Sequence, residues 1–211
     1  MIVLEDLRDF KISLLRKRMR TKHFFLNQAP YVAYHLLGDY IVVAKGRKNL
    51  VGRIVETEAY LGVEDDASHA FGGKFTSRNK FLYQEGGIIY VYLIYGKFWC
   101  FNVVVSRKGN PQAVFIRAIQ PLRGVEIMRK NRGGRDQREL TNGPGRWTQA
   151  LSIDGRLLGR SITSRDFFIS TGLYKGFSVV RTRRIGVDYA VRCKDLPLRY
   201  YIKNNPFVSV K

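Results

Sequence analysis

Apolar and polar residues alternate along several stretches of the 211-residue chain, and this two-residue period is typical of half-buried β-strands. The clearest pair of strands forms a hairpin, with apolar strands predicted at residues 88–95 and 98–105 on either side of a short turn. The connection Gly96-Lys97 has glycine at its first central position, which predicts a type II′ turn. This arrangement places Tyr95 at the tip of the hairpin.

The remaining elements are predicted from the two-residue period of strands and the 3.6-residue period of helices. Further strands are predicted at residues 40–44, 50–58, 113–119, 166–170 and 177–181. Helices are predicted at residues 27–38, 124–132 and 147–151, the first of them capped by Asn27 and ended by Gly38. A basic turn at residues 45–49 joins the first two of these strands.

The first 23 residues form a basic leader. Apolar residues at near-helical spacing predict a short amphipathic helix in it, packed on the rest of the protein: Leu4, Leu7, Phe10, Leu14 and Leu15. Because the chain has no internal repeat and no linker, residues 24–211 are predicted to form a single domain.

The chain is strongly basic. Its 37 lysines and arginines against 17 acidic residues give a formal charge of +20, which favours a nucleic acid or an anionic membrane surface as partner. No apolar run is long enough to span a membrane, and Glu5 and Asp6 interrupt the segment that a signal peptide needs. Cys100 and Cys193 lack CxxC spacing, which predicts reduced thiols of a cytoplasmic protein instead of a disulfide or a zinc site.

Five of the 17 acidic residues lie within eleven positions: Glu56, Glu58, Glu64, Asp65 and Asp66. In so basic a chain this cluster indicates chemistry on the polyanion, although a strand and loop with solvated charges would show the same pattern. Arg117 is the one charge in the apolar strand predicted at residues 113–119. Because a charge there is rarely buried unpaired, Glu58 or its neighbours are the predicted partners of Arg117.

The sequence lacks the residue patterns that several other catalytic mechanisms require. Three histidines and no CxxC pair give no zinc-site pattern, and neither a GxxxxGK[ST] phosphate loop nor a GxSxG motif occurs. What remains is one carboxylate as general base, tyrosines for a stacking pocket and a basic surface for DNA or RNA. Those are the parts of a base-flipping enzyme, in which Tyr95 either enters the duplex as a wedge or folds back on the sheet.

Two glycine-containing loops predict contacts with nucleic-acid phosphates. The loop at residues 71–80 presents Thr76 and Arg78, and the segment NGPGR places Arg146 at the start of a predicted helix. Backbone amides, hydroxyls and guanidinium groups in such loops bind phosphate oxygens. Lys97 at the hairpin tip is a further predicted contact.

Several blocks of sequence, in order from about residue 24 to residue 209, resemble the alkyladenine (3-methyladenine) DNA glycosylase family. The blocks are GRIVETEAYLG (52–62) followed by Asp65, Ala67 and His69, then YVYLIYG (90–96), CFN (100–102), FIRA (115–118), NGP (142–144), LRYYI (198–202) and NPFVS (205–209). The resemblance implies a mixed α/β (α+β) fold. In that fold a curved, mainly antiparallel and partly barrel-like sheet is surrounded by helices.

The resemblance also implies a monofunctional glycosylase, which cleaves the N-glycosidic bond with water and leaves an abasic site. Glu58 matches the glutamate that deprotonates the attacking water, and Arg117 matches the arginine that helps to hold this water. Tyr60, His69 and Tyr92 match the pocket that encloses the flipped base. Without the resemblance, core packing would be the favoured interpretation of the two tyrosines, and a structural hydrogen bond that of the histidine.

Three further positions are implied by the family pattern. Backbone groups from Ala67 to His69 would read the edge of the base, and Tyr95 would fill the gap that the base leaves in the duplex. Asn102 matches the asparagine that crowds the 2-amino group of guanine. Electron-rich tyrosine rings favour cationic alkylated purines through cation–π attraction, which normal bases lack.

The expected activity is release of 3-methyladenine and 7-methylguanine from duplex DNA, with hypoxanthine and ethenoadenine as further candidates. The protein is expected to act as a monomer without metal or cofactor and to bind no membrane. It is expected in the cytoplasm, on the nucleoid, in a prokaryote, or in the nucleus of a eukaryote. Two alternatives stay open: a non-catalytic nucleic-acid-binding domain of related fold, and a glycosylase with lyase activity that uses a lysine.

Overall fold

A computed structural model describes residues 11–45 and 48–210, in which eight strands form one antiparallel sheet and four α-helices accompany it. The strands are β1 (Tyr40–Lys45), β2 (Lys48–Tyr60), β3 (Ile89–Ile94), β4 (Phe98–Val105), β5 (Gln112–Arg123), β6 (Phe167–Ser170), β7 (Val179–Thr182) and β8 (Arg199–Ile202). The helices are α1 (Ile12–Lys17), α2 (Ala29–Leu36), α3 (Val125–Asn131) and α4 (Pro144–Ala150). Among the described residues, no helix is both long and apolar enough to cross a lipid bilayer.

The long strand β2 organises the sheet. Along one edge it pairs with β5, and along the other it pairs first with β1 and then with β8, which pairs in turn with β7. The order β3-β4-β5-β2-β1-β6 does not return to its first strand, so the sheet is not closed into a barrel. The predicted single α+β domain with a mainly antiparallel sheet is confirmed.

The two faces of β2 carry different residues. Thr57 donates its hydroxyl to the carbonyl of Ala33 on α2 at 2.8 Å, so α2 covers this face of the sheet. Because side chains alternate along a strand, Glu56 and Glu58 point to the opposite face. The fold therefore holds the acidic residues of β2 away from the helix that packs on it.

The predicted hairpin is present, but its turn is a different one. β3 and β4 pair as far as Ile94 opposite Phe98. Tyr95 and Gly96 both have positive φ, at 50° and 64°, and the amide of Lys97 donates to the Ile94 carbonyl at 3.1 Å. The predicted type II′ turn at Gly96-Lys97 is wrong, because positive φ at both central residues is the property of a type I′ turn.

The helix predicted at residues 27–38 is the shorter α2, and its start differs from the prediction. Gln28 occupies the N-cap position without a side-chain cap, while the side chain of Asn27 donates to the carbonyl of Phe24 at 3.0 Å. The predicted cap at Asn27 is therefore wrong. Strand β8 lies in a C-terminal stretch for which no strand is predicted, because its sequence RYYI shows no alternation of apolar and polar residues.

Part of the leader is described and packs on the sheet. Leu15 of α1 is buried in a small cluster with Tyr40, Val42, Val51 and Phe168. The leader residues Leu4, Leu7 and Phe10, and residues 46–47 of the predicted basic turn, lie outside the described residues.

Candidate active site

Two glutamates of β2 and an arginine of β5 form a buried charged group. Glu56 and Glu58 are 0% exposed, and Arg117 lies between them, with Nη1 3.3 Å from Glu58 Oε1 and Nε 3.4 Å from Glu56 Oε1. The predicted pairing of Arg117 with Glu58 or its neighbours is confirmed, and both glutamates share it. Burial alone would lower the pKa of Arg117, but the charges of Glu58 and Glu56 outweigh burial and raise it.

The carboxylate of Glu58 is hydrogen-bonded on both oxygens. The backbone N–H of Ile185 donates to Oε1 at 2.8 Å, and the hydroxyl of Tyr60 donates to Oε2 at 3.0 Å. Burial raises the pKa of Glu58, and the charge of Arg117 together with these two hydrogen bonds opposes the rise. A carboxylate with a raised pKa takes up a proton more readily than an ordinary glutamate, which suits a general base.

Glu56 has different partners. It accepts hydrogen bonds from Arg199 Nε at 2.7 Å and from the N–H and hydroxyl of Ser209 at 2.7 Å and 3.0 Å. These bonds tie the C-terminal segment to β2. Glu56 therefore serves the fold, whereas Glu58 is connected through Tyr60 to the pocket described next.

An aromatic pocket lies beside Glu58. Its lining consists of Tyr60, Ser68, His69, Leu82, Tyr90, Tyr92, Asn102 and Ala113. The imidazole of His69 meets the ring of Tyr92 edge-on, with ring centres 4.7 Å apart, and its Nδ1 lies 2.9 Å from the hydroxyl of Tyr90. Partial burial, then the nearby charges of Arg78 and Lys74, lower the pKa of His69, so the imidazole is largely neutral at pH 7.

The pocket brings together four of the five residues predicted to bind the base: Tyr60, His69, Tyr92 and Asn102. Ala67 does not line it, although it packs in a cluster with Tyr60. The N–H of Ala67 donates to Asp65 at 3.1 Å, and its carbonyl accepts from the hydroxyl of Tyr189 at 3.0 Å. Both backbone groups of Ala67 are therefore already bonded within the protein.

Two residues that form hydrogen bonds in the site, Tyr90 and Ile185, were not predicted from the sequence. Tyr90 lines the pocket and bonds His69, and its alternation with Tyr92 along β3 was a signal that could have indicated this. Ile185 supports Glu58 through its backbone N–H, for which no side-chain pattern exists.

Three of the predicted DNA contacts are exposed around the hairpin. Tyr95 is 87% exposed at its tip, and Lys97 beside it is exposed as well. Arg146 is exposed in the first turn of α4 and donates to the side chain of Asn142 at 2.8 Å. The neighbouring Gly145 packs against Phe98, the first residue of β4 after the turn, so Arg146 and the tip belong to one surface.

The other two predicted contacts lie on the loop at residues 71–80. The guanidinium carbon of Arg78 stands 5.2 Å from the ring centre of Tyr92, so this arginine lies at the pocket. The hydroxyl of Thr76 donates to the side chain of Asn79 at 3.1 Å and accepts from the Asn79 amide at 3.2 Å. The hydroxyl on which the Thr76 prediction depends is thus used to shape the loop.

Two of the remaining acids of the cluster, Asp65 and Asp66, bind backbone and guanidinium N–H groups, whereas Glu64 is exposed. Asp66 accepts from the amides of Val191 and Arg192 at 2.7 Å and of Cys193 at 3.0 Å. The bond from Arg192 contributes most to lowering the pKa of Asp66 to about 2. Asp65, Asp66 and Cys193 bring possible ligand atoms within 4.8 Å of one another, but both carboxylates already accept N–H groups, so hydrogen bonding accounts for their arrangement.

Comparison with known proteins agrees with this geometry. Residues 23–206 match the family model described as methylpurine-DNA glycosylase (MPG). Relatives from Natranaerobius thermophilus and Desulfitobacterium hafniense each carry the name "Putative 3-methyladenine DNA glycosylase". The first is 42% identical over 191 residues, covering 89% of this chain and 96% of the relative. The second is 40% identical over 198 residues, covering 90% and 98%. The chain belongs to the methylpurine-DNA glycosylase family.

Proposed function

We propose that the protein is a monofunctional DNA glycosylase that flips alkylated purines out of duplex DNA and removes them with water, leaving an abasic site. The observation behind the proposal is the buried carboxylate of Glu58, joined through Tyr60 to an aromatic pocket in a strongly basic chain. Family membership makes the chain a DNA glycosylase for alkylated bases. The flipped state, the purine substrates and the absence of a lyase step belong to the proposal.

Glu58 is the proposed general base. Departure of a purine leaves positive charge on the sugar, which a nearby carboxylate stabilises while it takes a proton from the attacking water. Arg117, paired with the same carboxylate, would help to hold that water, and its charge favours the ionised form of Glu58. The chemistry therefore needs only groups that this chain supplies.

The aromatic pocket is the proposed site of the flipped base. Tyr60, His69 and Tyr92 would enclose the purine, and electron-rich rings favour the positive charge of methylated purines. A largely neutral His69 adds no repulsion toward such a cation. Asn102, buried in the pocket wall, would crowd the 2-amino group of normal guanine.

The exposed hairpin tip and the cations near it form the proposed duplex contact. Tyr95 would occupy the gap left by the flipped nucleotide, while Lys97, Arg78 and Arg146 would approach the phosphates. Binding through phosphates should weaken steeply as salt is added. We propose that one copy of the chain suffices for this contact.

Oligonucleotide duplexes that each contain one lesion test the proposal. We expect alkali-labile sites at alkylated purines and no strand breaks before alkali treatment. Borohydride should trap no protein–DNA adduct, whereas a trapped adduct would favour the lyase alternative. Binding without any alkali-labile site would favour a non-catalytic nucleic-acid-binding domain.

Replacing Tyr60 by phenylalanine is expected to move the acidic limb of the pH–rate profile to higher pH. The lost hydroxyl favours the charged form of Glu58, so its removal raises the pKa of Glu58 and leaves more of the base protonated at acidic pH. Base release at acidic pH should fall about tenfold and recover at alkaline pH, because the ring still stacks. Single-turnover rates across this range measure the shift. Tyr92→Phe is the matched control, and the acidic limb of its pH–rate profile should stay at the native pH. A rate of base release that falls by the same factor at every pH in Tyr60→Phe would contradict the prediction.

Replacing Tyr95 by asparagine is expected to lower base release without lowering stability. The φ of 50° at Tyr95 costs a bulky residue about 1–2 kcal/mol, and asparagine tolerates this conformation better. The free energy of unfolding should stay constant or rise by up to about 1 kcal/mol, while release from a well-paired duplex falls at least about tenfold. Urea denaturation and single-turnover kinetics measure the two effects. Release at the native rate would show that the ring does not assist flipping.

A further inference from the structure

A buried aspartate–arginine pair lies next to Tyr60, outside the pocket. The side chains of Asp65 and Arg184 are both 0% exposed. The guanidinium donates two hydrogen bonds to the carboxylate, from Nη1 to Oδ2 at 2.6 Å and from Nη2 to Oδ1 at 2.8 Å. The same carboxylate accepts the amides of Leu61 at 3.0 Å and Ala67 at 3.1 Å. Four donors hold Asp65, and such two-pronged pairs are strong and directional.

The ring of Tyr60 separates this pair from the pocket. The guanidinium carbon of Arg184 stands over the ring, 4.6 Å from its centre. Tyr60 lines the pocket, whereas Arg184 does not. A purine stacked on the pocket side of the Tyr60 ring, at a van der Waals distance of about 3.5 Å, would therefore lie about 8 Å from the guanidinium.

The charge state of the pair matters at that distance. An unopposed positive charge about 8 Å away would weaken the binding of a cationic base roughly tenfold, and would act far less on a neutral base. Burial alone would lower the pKa of Arg184, but the hydrogen bonds and charge of Asp65, followed by the influence of Tyr60 and the charge of Glu58, more than offset this. The arginine is thus charged, and the aspartate cancels that charge where it faces Tyr60.

We infer that Asp65 raises the preference of the site for cationic over neutral purines. By neutralising Arg184 behind Tyr60, it allows the pocket to hold cationic purines such as 7-methylguanine and 3-methyladenine. Asp65 touches neither the base nor the attacking water; it acts through Arg184 and Tyr60 as a specificity-determining residue. The inference rests on the proposed function and names what selects the substrate class at the same site.

Asp65→Asn tests the inference because the variant keeps the shape of the side chain and leaves Arg184 without its paired carboxylate. Single-turnover rates of release are measured for 7-methylguanine, from methylated DNA, and for hypoxanthine, from an oligonucleotide duplex. The ratio of the first rate to the second should fall about tenfold. Because a smaller folded fraction lowers both rates equally, misfolding leaves the ratio unchanged. Equal losses on the two bases would overturn the inference.

A double variant that also lacks the arginine gives an independent test of the inference. In Asp65→Asn/Arg184→Gln neither charge remains, so release of 7-methylguanine should be faster than in Asp65→Asn alone. Rates are expressed per folded molecule, with folded fractions from urea denaturation, because removing the arginine also relieves the instability of an unpaired buried charge. A pair with only a structural role would then make the double variant no faster than the single one. If hypoxanthine is not a substrate, the comparison of 7-methylguanine release between the double and the single variant tests the role of Asp65 without it.

Asp66→Asn is the matched control. Asp66 is the next residue of the same loop and accepts backbone amides, so the variant removes a carboxylate without uncovering a charge behind Tyr60. Its ratio of release rates should equal the native one, and a ratio that falls as far as in Asp65→Asn would count against the inference. A native protein that releases neither base would overturn the proposed function itself.

Discussion

Glu58→Gln is expected to reduce base release at least about a thousandfold while leaving DNA affinity within about threefold of the native value. The amide keeps the size of the side chain, but it can neither accept the proton of the attacking water nor offset the positive charge that develops on the sugar. The groups proposed to contact DNA, such as Tyr95 and Arg146, are exposed, whereas Glu58 is buried. Chemistry and binding should therefore separate in this variant.

Glu64→Gln is the matched control for that experiment. Glu64 belongs to the same acidic run but is exposed in the turn Gly62–Glu64, so its variant should release bases at the native rate. Single-turnover kinetics on a lesion-containing duplex and fluorescence anisotropy measure release and affinity for both variants. Native release by Glu58→Gln would exclude Glu58 as the general base.

Electrostatics made the centre of the site predictable from sequence. A single arginine in an apolar strand needs a carboxylate partner, and alternation along β2 puts Glu56 and Glu58 on one face. The other acids could not be interpreted in this way. Asp65 meets an arginine 119 positions away, and Asp66 meets amides at least 125 positions away, and no local pattern encodes such contacts.

Backbone geometry limited the prediction in another way. Ile185 supports Glu58 with an N–H group that every residue except proline possesses, so its position carries no signature. At the hairpin tip, a glycine suggested one turn type, whereas the chain holds Tyr95 in a left-handed conformation. Strain at an exposed aromatic residue is itself a reason to suspect function, and it becomes visible only in the structure. The fold class was accessible because several apolar stretches are typical of strands and because the ordered sequence blocks resemble one family.

Arg117→Met is expected to destabilise the protein by about 3–5 kcal/mol at neutral pH and to abolish most base release. Glu56 keeps its bond from Arg199 at 2.7 Å, but Glu58 loses the cation paired with it and remains buried. Burial already raises the pKa of Glu58, and Arg117 is the main opposing influence, so the pKa rises further in the variant. An uncompensated buried carboxylate is the expected cause of the instability.

Acidification should relieve this instability. A carboxyl group whose pKa is higher in the folded than in the unfolded state binds more protons when the protein is folded. Protonation of this group therefore stabilises the fold, and the stabilisation is complete below the unfolded pKa of about 4.3. It is lost as the pH rises through the folded pKa. The difference in free energy of unfolding between Arg117→Met and the native protein should therefore shrink from about pH 8 to about pH 5. Chemical denaturation at several pH values measures it, with Arg117→Lys, which keeps the charge, as the control that should lose less. A difference that stays constant or widens on acidification would show that lost packing, and not the charge of Glu58, is responsible.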